Sequence, residues 1–323
     1  MGSRRSDAVV FGGGGAVVIL LGFAADRVLG DPARLHPVAG FGAVAAWVEP
    51  WAWRPSRVVG ALYAGALVGA VWGAIAVGVR RLAPAARAAF AVAVLWTTLG
   101  GRSLERAALR LQAALDAGDL DRARALAPAL VGRDPATLDG AELARAAVES
   151  LAENTSDAVV APLLWMAAFG PAGAAGYRAI NTLDAMVGHR DARHLRFGWA
   201  AARLDDAANW VPARVTALLV IALARGRRRA AWRAAFVDGA RHPSPNAGRA
   251  EGAFAGALGV RLGGINHYPH GSEARAPLGD GAAPGSGDVA RAVRMARRVG
   301  LLAAAIAVAT TSGRAVAALG ARP

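Results

Sequence analysis

RAAVESLAENTSDAVVAPLLWMAAFGPAGAAGYRAINTLDAMVGH, residues 145–189, decides how this chain is read. A polar segment dense in Glu, Asn and Asp runs directly into an apolar one. From Ala158 to Tyr177 there are 20 residues without a charge, enough to cross a bilayer, which takes about 20. Phe169-Gly170-Pro171-Ala172-Gly173 interrupts that run with a strong helix breaker. The reading preferred here over a through-span is a re-entrant hairpin of two half-helices. Broken backbone at membrane depth is tolerated only where protein or a water-filled cavity lines it. Ahead of the break, a helix over 145–157 puts Glu149, Glu153 and Asp157 at i, i+4 and i+8, three carboxylates on one face. Like charges so spaced repel unless a cation or an arginine sits among them. Either the face holds a site, or it is solvated with Arg145 pairing Glu149.

Outward from this stretch the apolar pattern continues. Ala8–Ala25 is 18 residues without a charge and Val58–Val79 is 22, the latter closed by Arg80-Arg81, a cytoplasmic flank by the positive-inside rule. Apolar residues make up 55% of the chain, well above a soluble domain's needs, which points to an integral membrane protein. Arg4-Arg5 ahead of an apolar run invites a signal-peptide reading, but the run is long and reaches Asp26-Arg27 without a small-x-small cleavage site, so it is expected to stay as a first span. Trp47, Trp51 and Trp53 cluster like an interfacial belt. Ala88–Gly101 and Val211–Ala224 are shorter apolar segments, and Leu301–Thr311 lies in a last one that spans or lies in the membrane. Leu104, Ala108, Leu111 and Leu115 keep helical spacing up to Gly118-Asp119; a second helix follows over Leu120–Leu130, with Thr137 or Asp139 to cap the next. No strand alternation is visible. The expectation is an all-α, polytopic membrane protein in one domain, 1–323, with 271–289, rich in Gly, Ala, Pro and Asp, as a mobile loop.

The net charge of +14 comes from arginine, since the sequence contains no lysine. No basic-aromatic platform for nucleic acid accompanies it; loop arginines that set topology and bind anionic headgroups or phosphates account for it better. Absence of lysine excludes a Walker lysine and a Schiff base, and absence of cysteine excludes disulfides, thiolate metal sites and a cysteine nucleophile. The polar blocks carry the candidates for chemistry. Arg178, Asn181 and Asp184 share a helix face, as do Asp205, Asp206 and Asn209. The second set is an oxygen-rich group suited to Mg²⁺, or else a helix cap with an Arg203–Asp206 pair. His36 lies in a turn beside Pro37, where capping is the plainer role.

Five polar blocks, in order, resemble the CbiB/CobD family of cobalamin biosynthesis, adenosylcobinamide-phosphate synthase. They are GDPARLHPV (30–38), VGRDPATLDGAELARAAVESLAENTSDAVVAPLLW (131–165), YRAINTLDAMVGHR (177–190), ARLDDAANWVPARVTALL (202–219) and HPSPNAGRAEGAFAGALGVRLGG (242–264). GINHYPHG after Gly263 matches the family only loosely, leaving His267, Tyr268 and His270 without a role. The resemblance implies an inner-membrane enzyme with a cytoplasm-facing site. It would join adenosylcobyric acid to (R)-1-aminopropan-2-ol or its O-phosphate by an ATP-dependent amide bond, with Mg²⁺, among membrane lipid and other late cobalamin-pathway membrane enzymes. On that footing Glu149, Glu153, Asp157 and His36 are the catalytic candidates, and Asp205, Asp206, Glu153 and Asp157 the metal ligands. Arg133, Arg178 and Arg241 suit phosphate; Asn154, Asn181, Asn209 and Asn246 suit the amide-rich corrin edge; Tyr177, Asp184, His242 and Ser244 complete the substrate set. The competing class is a transporter or scaffold whose buried polar helices mark a substrate path. A phosphoalcohol transferase using Asp205, Asp206 and Asn209 is a further alternative, though the fuller Asp-rich signature is absent.

Overall fold

Helix accounts for nearly all regular structure in the computed structural model, which describes residues 14–320 apart from 33, 132, 133, 190, 269 and 270. Arg133 and the Arg4-Arg5 leader therefore lie outside the described residues. The chain divides into two compact units, 1–100 with 161–209 and 303–323, and 101–160 with 210–302.

The first unit opens with α1 (Gly15–Leu29), α2 (Pro37–Ala52), α3 (Arg57–Arg81) and α4 (Pro84–Thr98). Val17, Leu20 and Leu21 on α1, Val44, Trp47 and Trp51 on α2, and Val58 and Leu62 on α3 all stand exposed. Leaving so many large apolar side chains in water is unfavourable, and a bilayer removes that cost. By length and composition two helical stretches, Arg57–Arg81 and Gly140–Val187, are able to cross a membrane; Trp199–Ala208 with Trp210–Leu223 makes a third if that bent pair is one span. The described α1 covers 15 residues, and the start of the expected first span, Ala8–Gly13, lies outside the described residues.

Within the first unit, α8 (Ala161–Val187) reverses direction at Gly170. Gly170 takes φ 69° and ψ −161°, a conformation open essentially to glycine alone, and Pro171 follows it. Trp165 and Tyr177 stack with ring centroids 6.1 Å apart, although twelve residues of continuous helix would separate them by about 18 Å. Ala161 and Tyr177 also share one buried cluster with Ala208. The chain therefore folds back at the expected break. Pro171 has no N–H for the carbonyl of Ala167, and the Arg314 guanidinium donates to that carbonyl at 3.0 Å and to that of Ala168. After α8 come α9 (His194–Phe197) and α10 (Trp199–Ala208), which pack on α3 and α8 around Tyr63, Leu183 and Phe197.

The second unit holds α5 (Gly101–Asp116), α6 (Leu120–Leu126), α7 (Gly140–Thr155), α11 (Trp210–Leu223), α12 (Arg228–Phe236), α13 (Ala247–Leu258), β1 (Leu262–Tyr268) and β2 (Gly271–Leu278). A long final helix, α14 (Ser286–Gly320), begins in it. Asp139 caps α7 through a reciprocal box with Glu142, as its position before the helix leads one to expect. The α12–α13 contact is tight because Gly252 and Gly256, one turn apart on α13, face the backbone of Ala234 and of Ala230 and Ala231. A Cβ on Gly252 would lie 2.2 Å from the Ala234 carbonyl oxygen, so backbone meets backbone there.

Two expectations need correction. A strand pair is present: β1 and β2 are antiparallel, with Leu262 opposite Leu278 and Tyr268 opposite Gly271. The stretch 271–289 is accordingly not one loop, since β2 occupies its first half and α14 starts at Ser286. Both strands escaped a search for alternation because Gly263 sits at a bulge that breaks the two-residue period.

Candidate functional site

The hairpin in α8 presents its second arm, Tyr177 to Asp184, to α10 inside the first unit. Tyr177, fully buried, donates its hydroxyl to Asn209 Oδ1 at 2.8 Å. The Asn209 amide donates to Asp205 Oδ2 at 3.0 Å, the Asn181 amide to Asp205 Oδ1 at 3.3 Å, and Arg178 to Asn181 Oδ1 at 3.3 Å. Five candidates picked from separate sequence blocks thus form one connected network centred on the Asp205 carboxylate. Stacked Trp165, whose indole donates to the Ala208 carbonyl at 3.2 Å, walls it on one side. Asp206 takes the plainer course and pairs with Arg203 at 2.8 Å. Asp184 lies on the same helix arm as Tyr177, Arg178 and Asn181.

His36 caps α2, its Nδ1 accepting from the Val38 N–H at 3.2 Å, which is the plainer of its two roles. Also in the first unit, Glu49 accepts from Arg193 at 2.8 Å and faces His194 at 3.4 Å, while Asp191 bonds the other His194 nitrogen at 2.9 Å. That hydrogen bond from His194, ahead of the backbone N–H groups beside it, holds the Asp191 carboxyl down at about 2.

The second unit carries the carboxylates. Glu149 is buried and accepts from the Gly263 N–H at 2.9 Å, and Arg145 lies 3.6 Å from it while donating to the carbonyls of Gly263 and Ile265. The expected Arg145–Glu149 pair is present, buried rather than solvated, and it ties α7 to β1. Glu153 and Asn154 occupy the next turn, half-buried, with Asn154 donating to the Ser150 carbonyl at 3.0 Å. The i, i+4, i+8 row does not run to its end: α7 stops at Thr155 and Ser156–Val160 is a π turn, so Asp157 sits on a widened turn. Such turns recur at functional sites.

Ahead of α13 in the same unit, the Ser244 hydroxyl accepts from the N–H groups of Asn246 and Ala247. His242 receives the Ser244 N–H on Nδ1 at 3.0 Å, and its Nε2 is 3.9 Å from Glu251. Asn246, buried, accepts from Arg214 at 3.3 Å, and Arg241 is exposed. Glu251 was missed in the sequence. Its signal was there, a lone carboxylate within the small apolar residues of α13, where an unpartnered charge is costly.

As to metal, among the described residues no three His, Asp or Glu side chains are grouped to hold an ion. Asp205 keeps one lone-pair site per oxygen beyond its amide bonds. A carboxylate so placed fits Mg²⁺ arriving with phosphate groups and keeping most of its waters, rather than a caged resident ion.

A family model described as CobD/Cbib protein matches residues 19–296. Among curated proteins, the chain is 52% identical over 300 residues to "Cobalamin biosynthesis protein CobD" of Mycobacterium tuberculosis (strain CDC 1551 / Oshkosh), covering 91% of this chain and 95% of that one. It is 44% identical to the protein so named in Geobacter metallireducens, covering 83% and 87%, and 43% identical to that of Chromobacterium violaceum, covering 88% and 93%. No solved structure matches the chain.

Proposed function

Since the chain belongs to the CobD/CbiB family, we propose that it is the membrane-embedded enzyme of cobalamin biosynthesis that joins adenosylcobyric acid to (R)-1-aminopropan-2-ol or its O-phosphate. The bond is an amide, formed at the expense of ATP, and the site faces the cytoplasm from the inner membrane. The observation that carries this reading is the family match across residues 19–296.

The chemistry explains why such residues are needed. A free carboxylate is a poor acyl donor because its leaving group would be oxide. Transfer of the γ-phosphoryl group of ATP to the carboxylate oxygen gives an acyl phosphate and ADP. Attack by the neutral amine then expels inorganic phosphate and forms the amide, and a base takes up the ammonium proton beforehand. We assign that base to Glu153 or Asp157, with Glu149 holding β1 in place beside them. Arg133, Arg178 and Arg241 are each assigned to phosphate oxygens, which their guanidinium forks match. Asn154, Asn181, Asn209 and Asn246 each offer a donor and an acceptor to the amide-bearing corrin edge. Mg²⁺ would be held by Asp205 or Asp206 and would neutralise phosphate charge.

Purified protein given adenosylcobyric acid, aminopropanol phosphate, ATP and Mg²⁺ should yield the amide, detected by mass, with one ADP per product. Glu153→Gln at normal expression should lower turnover at least a hundredfold, the usual scale of a general base. Normal turnover in that variant removes Glu153 from the reaction. Absence of product, together with corrinoid flux in proteoliposomes, replaces the ligase with a transporter.

A further inference from the structure

Four arginines within five residues, Arg225, Arg227, Arg228 and Arg229, line an open cavity of about 770 Å³ in the second unit, at the end of apolar α11, with Asp280 the one acidic residue in its wall. None of the residues discussed above as candidates for catalysis contributes to it. So many like charges repel each other, and Asp280 is itself 3.9 Å from Arg233. Arg227 donates one N–H to the Gly256 carbonyl at 3.0 Å and Arg228 one to the Ala222 carbonyl at 3.1 Å. These bonds hold two guanidiniums in place while leaving most of their donors to face outward. Arg225 and Arg229 are exposed, and their side chains make no hydrogen bond or ion pair among the described residues. The nine-residue α12 starts here without a side-chain cap, so its first N–H groups point the same way.

The surroundings identify the anion. Trp210, Val211 and Leu218 stand exposed along α11, and Trp232 is exposed one turn into α12. An apolar helix ending in arginines, followed by a short helix bearing Arg on one side and Trp on another, is the pattern of a segment at the bilayer surface. We infer that the Arg225–Arg229 cavity binds the phosphate headgroup of an anionic phospholipid. The inference rests on the membrane placement proposed above, but not on the ligase chemistry.

The test uses the full chain, extracted from washed membranes into a neutral detergent, with phosphatidylglycerol or phosphatidylcholine added at equal mole fraction and bound lipid counted by native mass spectrometry. Wild type should retain phosphatidylglycerol in preference. Arg225→Gln with Arg229→Gln, which breaks no protein contact, should weaken that retention roughly 30-fold, five- to sixfold per arginine, without altering phosphatidylcholine. Equal phosphatidylglycerol retention by the double variant overturns the inference. So does calorimetric binding of inorganic phosphate or pyrophosphate that the variant loses while its lipid retention persists, since the site then serves a free phosphate. A chain that leaves the membrane fraction on washing refutes the membrane placement itself, and that is seen before any lipid is added.

Discussion

Replacing Glu149 with alanine separates its structural role from any catalytic one. In the native protein its carboxylate sits 3.6 Å from Arg145, with the two side chains 6% and 11% exposed, and accepts the Gly263 N–H at 2.9 Å. Removing one member of a buried ion pair costs about 3–5 kcal/mol, mostly as an uncompensated charge. The loss here belongs near the lower end, because Arg145 keeps its bonds to the Gly263 and Ile265 carbonyls. Against that, the Gly263 N–H loses its acceptor, worth about 1–3 kcal/mol if it stays buried. A net of about 4–6 kcal/mol should lower the thermal midpoint by roughly 8–24 °C, followed by intrinsic fluorescence in detergent. Glu149→Gln keeps an oxygen for Gly263 and should lose clearly less. Arg145→Met combined with Glu149→Met should be less damaging than the two single changes added together, because no buried charge is left over. A midpoint for Glu149→Ala within 2 °C of wild type, or strict additivity in the cycle, would refute the tie between α7 and β1.

Gly252→Ala should destabilise through the α12–α13 contact by about 1–3 kcal/mol, because its Cβ would fall 2.2 Å from the Ala234 oxygen. Gly313→Ala, where nothing lies within 4 Å, should instead raise the midpoint slightly, so opposite signs in the two melts are the check. Asp191, held at about 2 against an ordinary 3.8, favours the folded state above pH 4, and this contribution disappears as pH falls through about 2. Thermal midpoints of wild type and Asp191→Asn should therefore differ at pH 5 and converge as pH approaches 2; a constant gap would show that the His194 contact does not act through this ionisation.

Much of the architecture was legible in the sequence. An uncharged run marks α3, a short apolar segment interrupted by Arg214 marks α11, helical spacing marks α5, and the cap before α7 could be named because such signals act over a few neighbouring residues. The break at Gly170-Pro171 was equally local, since proline removes a backbone donor wherever it lies. Family membership was legible for a related reason: blocks of chemistry-bearing residues keep their order along the chain whatever their arrangement in space.

Other features depended on partners far apart in sequence. Residue order lists Asp205, Asn209, Asn181, Arg178 and Tyr177 as separate candidates; folding α8 back on itself and laying α10 against it makes them one hydrogen-bonded network. Arg314, in a tail without any motif, supplies the donor that Pro171 lacks. Whether Glu149 belonged to a site or to an ion pair could not be read from its spacing. Both readings need the same helix face, and what buries it is β1, more than a hundred residues away, whose Gly263 N–H meets that carboxylate. The sequence alone therefore determined that the chain is mostly helical, where several of its helices lie and which family it resembles, because these depend on local composition and order. Which polar groups satisfy one another was decided only by the tertiary structure, because a buried donor or acceptor must find its partner wherever the chain brings one within about 3 Å.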